Sequence, residues 1–151
     1  MMRRNSEILI YNFEQSPACA GKEKKGSYLT KDKISHKFLK ESVKKILRYL
    51  KKQKKSFSLI LVSPSEIKQK NNYWRKQNKA TTVLTFSEGD IFLCPKEIKK
   101  QASKRKISQK KFYQLLLVHS ILHLFGYTHD DKKDTKIMEG LEAKILNSLK
   151  N

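Results

Sequence analysis

Three of the chain's four histidines fall inside one eleven-residue segment, HSILHLFGYTH, as His119, His123 and His129. Neutral imidazole is a ligand for transition-metal ions, and such ligands must converge on one point. Residues four apart on a helix lie on one face about a turn apart, so His119 and His123 can share an ion. Gly126 lacks a Cβ and can turn the chain back after that helix, which lets His129 approach the same point. Three imidazoles leave a fourth coordination position open for water. That arrangement marks a catalytic zinc site, whereas structural sites are closed by four protein ligands. The expected cofactor is therefore one zinc ion per chain, although three histidines also hold nickel, cobalt or iron. The remaining histidine, His36, has no such company and reads as a surface or helix-face residue.

The same spacing occurs in the metzincin proteases as H-E-x-x-H-x-x-G-x-x-H, where the glutamate is the general base. Here Ser120 stands at that position. A serine hydroxyl does not take up the proton of water near neutral pH. The ligand spacing is shared, and the protease base is missing.

The helix that must carry the first two ligands spans about residues 109–125, with Ser108 as its N-cap and Gly126 as its stop. Leu115, Leu116, Leu117, Val118, Ile121, Leu122, Leu124 and Phe125 make it apolar nearly all round, the pattern of a buried helix. Its histidines are then expected to be polar groups in a core element, in need of partners. Asp130 or Asp131 caps a last helix with Ile137, Met138, Leu141, Ile145 and Leu146 as its apolar positions. Upstream, 7–13 and 56–62 read as strands, 16–31 (with Pro17, Gly21 and Gly26) as a loop, and 33–53 as a helix. Ser63-Pro64 opens a short helix through about residue 72. Residues 82–86 and 90–94 are two brief strands around the Glu88-Gly89 turn, and Pro95 opens another short helix. The order predicts an α+β fold: a single domain over 1–151, with a small mixed sheet of about four strands packed with helices around the histidine-bearing helix.

On these residues the chain resembles the YbeY endoribonucleases, the bacterial rRNA maturation factors. His119, Leu122, His123, Leu124, Gly126, Tyr127 and His129 match the family's H-G-x-L-H-L-x-G-Y-D-H signature. Arg75, Thr81, Val83, Leu84, Phe86, Gly89, Asp90 and Ile91 match its N-x-x-Y-R-x-x-D-x-P-T-D-V-L-S-F stretch and the following G-D-I. Met138, Glu142, Ile145 and Leu146 agree with its final helix. Ser120 replaces a glycine, Thr128 an aspartate, and Asn78, Ala80 and Thr82 replace Asp, Pro and Asp; no metal ligand is lost. The resemblance implies a metal-dependent, single-strand-specific RNA hydrolase of 16S rRNA 3′-end maturation and ribosome quality control. It implies that the three histidines hold the metal and that Arg75 contacts phosphate, a task suited to a guanidinium's fixed charge and paired donors.

The composition is compatible with that reading. Thirty-four Lys and Arg face fourteen acids, a net charge of +20 spread along the whole chain. Such a surface attracts polyanions, above all nucleic acid. The resemblance narrows this to single-stranded RNA and ribosomal particles as the expected partners, with no DNA. Lysines around the cleft would track the RNA backbone, and Tyr73 or Trp74 could stack a base, though ordinary packing is the preferred role for Trp74. No window approaches a membrane-spanning length and no signal-peptide core follows the N-terminus, so a cytoplasmic protein without membrane contact is expected. Cys19 and Cys94 lie too far apart in sequence for a CxxC pair and argue against a disulfide scaffold or a thiolate zinc knuckle. The rival in a different class is a ribosome-assembly or RNA-binding factor whose metal is structural and whose hydrolytic activity is negligible. A metalloprotease is disfavoured by Ser120 and by the basic charge.

Overall fold

The computed structural model describes residues 8–12, 34–52 and 56–150. The 16–31 loop expected from the sequence, and Cys19 within it, lie outside the described residues.

Four strands form one sheet in the order β1-β2-β4-β3. β1 (Ile8–Asn12), β2 (Phe57–Leu61) and β4 (Asp90–Leu93) run parallel, and β3 (Val83–Thr85) pairs antiparallel with β4. The β3–β4 turn depends on Gly89, whose φ of +101° belongs to the left-handed region. A Cβ there would also sit 3.0 Å from the Ser56 carbonyl oxygen. The bare backbone instead lets the Gly89 carbonyl accept a hydrogen bond from the Ser58 N–H at 3.0 Å, which ties the turn to β2.

Among the described residues five helices accompany the sheet: α1 (His36–Leu50), α2 (Pro64–Arg75), α3 (Pro95–Lys104), α4 (Gln109–Leu124) and α5 (Lys132–Ser148). Side-chain caps start α1 at Ser35, α4 at Ser108 and α5 at Asp131. Ser63 and Glu66 form a reciprocal capping box on α2 ahead of Pro64. α4 is the centre of the packing, against α1, α3 and α5 and the end of β3. Its residues Phe112, Tyr113, Leu117, Val118, Ile121 and Leu122 join Leu39, Val43, Ile46, Leu59, Leu61, Ile91 and Leu93 in one core. Full burial of such a side chain contributes on the order of 1.5–3 kcal/mol, so this face holds α4 rigidly.

The α+β class, the four-strand mixed sheet and the central histidine-bearing helix agree with expectation. Two local expectations need correction. α2 continues past residue 72 to Arg75. The Asn71 side chain is buried and donates from Nδ2 to the Lys79 carbonyl at 2.9 Å. It holds the returning chain and leaves the helix free to run on. α4 is also not buried all round: its outward face carries the histidines, with His119 41% exposed and His123 exposed as well. Burial alone therefore does not demand a partner for them, and the case for a metal rests on their mutual geometry.

Candidate metal centre

His119 and His123 stand one turn apart near the C-terminal end of α4, with ring centroids 4.4 Å apart. The α4 end is closed by a Schellman arrangement: Gly126 N–H donates to the His123 carbonyl at 3.0 Å, and Tyr127 N–H to that of Leu122 at 3.1 Å. Gly126 takes a φ of +94° for it, with open space around the missing Cβ, so glycine is needed there for its backbone and not for room. The chain then reverses. Thr128 Oγ1 donates to Asp134 Oδ2 at 3.4 Å, and Asp131 accepts the Asp134 N–H at 2.7 Å to start α5. Held at both ends, this loop places the His129 ring 5.2 Å from that of His119 and 5.3 Å from that of His123.

One ring nitrogen from each histidine lies within 4.8 Å of the other two. A tetrahedral zinc bound at 2.0–2.1 Å would set its nitrogens roughly 3.4 Å apart. His119 Nε2 and His123 Nε2 are already 3.0 Å apart. The donor set therefore fits a divalent transition ion after movements of side-chain scale. Two features tune it. His119 Nδ1 lies 2.9 Å from Glu142 Oε1. Donation of the Nδ1 proton to that carboxylate leaves Nε2 as the lone-pair nitrogen turned toward the other histidines. Burial, and then the neighbouring His119 and His129, hold His123 below the usual histidine range and keep it in the neutral, ligating form. The partial negative charge at the end of α4 also favours a cation there.

Beside His119 opens a cavity of about 600 Å³, lined by Lys79, Thr81, Thr82, Glu97, Gln101, Arg105 and Glu142 among others. The structure thus brings His119, His123 and His129 together. Arg75, the fourth residue singled out in the sequence, ends α2 on the exposed surface and does not line this cavity. Glu142 was missed as a site residue. Its signal was a carboxylate next to Leu141, between Met138 and Ile145, on the face of α5 that packs inward. Trp74, expected to be packed, is 62% exposed. Cys94 is buried, its thiol pushed up to about 11 by burial, and it is not part of the ligand cluster.

An α+β domain with a histidine triad on a helix end and the loop after it defines a class of scaffold able to hold a metal ion. The family model described as Endoribonuclease YbeY matches residues 26–150, and the chain belongs to that family. It is 33% identical to the Endoribonuclease YbeY of Persephonella marina over 131 residues, covering 78% of this chain and 86% of that relative. It is 34% identical over 125 residues to the one from Buchnera aphidicola of Schizaphis graminum, covering 75% and 78%. The solution structure of a Thermotoga maritima protein matches with a TM-score of 0.61 at 30% identity, covering 92% of this chain and 86% of that one.

Proposed function

We propose that the protein is a metal-dependent endoribonuclease cleaving single-stranded RNA, in 16S rRNA 3′-end maturation and ribosome quality control. The observation that carries this reading is the convergence of three histidine nitrogens within 4.8 Å beside a cavity. Membership of the Endoribonuclease YbeY family supplies the reaction class. Residues 1–151 would act as one unit, in the cytoplasm, on rRNA and ribosomal particles and not on DNA or membranes.

An ion held by His119, His123 and His129, zinc by the donor set, supplies Lewis acidity toward water and a phosphoryl oxygen. The chain's own groups do the rest. Glu142 fixes the ring of His119 through Nδ1. Lys79 and Arg105 line the cavity and offset phosphate charge. Arg75 grips a phosphate of the same strand from the end of α2, with its guanidinium paired to two oxygens. Ser120 is buried in α4, and the carboxylates that line the cavity are Glu97 and Glu142, the latter engaged with His119 Nδ1. Attack by water and attack by the RNA 2′-OH both suit this layout.

The test is incubation with single-stranded RNA, with and without chelator, beside Arg75→Ala. The expected result is cleavage that chelation abolishes and Arg75→Ala slows by about 100-fold. Binding without metal-dependent cleavage would assign the protein to the ribosome-assembly class, with a structural metal. Cleavage that survives both chelation and loss of His123 would belong to a contaminating nuclease.

A further inference from the structure

The inward stripe of α2 is Ile67 and Asn71, both buried, and Trp74 is the next residue along it. By that point the helix has passed the edge of the core. Trp74 meets Phe86 edge-on, with centroids 5.8 Å apart and planes at 70°, and otherwise faces solvent at 62% exposure. Tyr73 leans on Trp74 at 4.9 Å and is 70% exposed. Behind them Phe86 packs on Phe92 at 5.5 Å, and the Lys70 ammonium lies 4.7 Å over the Phe92 ring. The outcome is a supported aromatic ridge with two rings open to water.

The ridge is set in positive charge: Lys70 behind it, and Arg75, Lys76 and Lys79 within the next five residues of the chain. Five chain steps from Trp74 reach Lys79 at the cavity wall, so the two are at most about 18 Å apart. Aromatic rings interleaved with cations are what an unpaired nucleobase and its phosphates require. An acidic protein surface would satisfy the cations but leave the ring faces without a stacking partner.

We propose that Tyr73 and Trp74 form a stacking subsite for an unpaired base of the RNA strand whose phosphate lies at the histidines. The subsite rests on the RNA-cleaving reading above and deepens it. Duplex bases are already stacked and cannot enter, so this subsite contributes selectivity for single strands.

Trp74 is the chain's one tryptophan, so its fluorescence reports on the ridge alone. The experiment titrates the full protein with a 2′-O-methyl RNA strand of about ten nucleotides, and with an abasic strand of equal length and charge. The expected result is quenching by the base-bearing strand and not by the abasic one. Trp74→Ala should weaken binding of the base-bearing strand about 5- to 100-fold, and Trp74→Phe should restore most of it. The Trp74 side chain is 62% exposed, so neither variant threatens folding. Equal quenching by the two strands, or unchanged affinity in Trp74→Ala, overturns the subsite. So does a protein-concentration-dependent shift of the emission without RNA, which would give the ridge to a second copy of the chain. Metal-dependent cleavage by the wild type is read alongside: its loss would count against the proposed function, while its presence with unchanged Trp74→Ala affinity would count against the subsite alone.

Discussion

Glu142 holds one histidine of the three. Its carboxylate 2.9 Å from His119 Nδ1 selects the tautomer and the ring angle that offer Nε2 to an ion. Glu142→Gln keeps the shape and removes the charge, and should lower zinc affinity about 10- to 100-fold, as read by competition with a metal indicator. Acid should act in the same direction. His123 is held below the ordinary histidine range, so it is neutral near pH 7 and binds a proton only as the solution acidifies further. The unfolded chain binds that proton first. The metal-free fold should therefore lose stability as pH falls through the unfolded histidine range, and gain none as pH rises above it. Thermal unfolding of chelated protein between about pH 8 and 5 checks the sign, which a higher melting temperature at pH 5 would reverse.

The elements that position these residues differ in how openly the sequence declares them. α4 was plain, because Ser108 and Gly126 bracket it and the third candidate ligand follows a glycine whose φ of +94° no other residue adopts easily. Gly126→Ala should destabilise the fold by about 1–2 kcal/mol despite the open space around it, since the cost is in the backbone. Denaturant titration reads this, and reduced zinc affinity would show that His129 moved with the loop. The end of α2 was hidden. Its continuation depends on Asn71 reaching Lys79 across eight residues, a contact that local propensity does not carry. Glu142 matched the family's final helix, but its contact with His119 was hidden for a like reason, because that partner lies twenty-three residues away on another helix. Three lysines, Lys51, Lys76 and Lys106, occupy left-handed φ of 58°, 57° and 56° at helix ends where glycine is the usual occupant. Lys51→Gly should stabilise the protein by about 0.5–1 kcal/mol, the left-handed cost recovered less glycine's added freedom when unfolded. An unchanged or lower denaturation midpoint would contradict that assignment.

At the scale of the molecule, the charge of +20 sets how strand and protein meet. Neutralising phosphates releases counterions, so affinity for single-stranded RNA should fall roughly tenfold or more between about 50 and 200 mM salt. Lys79→Ala should flatten the plot of log affinity against log salt by about 0.7 if Lys79 meets one phosphate. The excess charge was legible from composition. Which cations face the cavity was not: Lys79 and Arg105 arrive there from the α2–β3 connection and the end of α3, while Arg75 remains outside. The whole arrangement depends on the triad being a metal centre. Elemental analysis of the purified protein tests that most directly, beside His123→Ala. The expected content is about one zinc or similar divalent ion per wild-type chain, with a near-complete loss in the variant. A wild type that carries no ion, and takes none up when zinc is supplied, would contradict it.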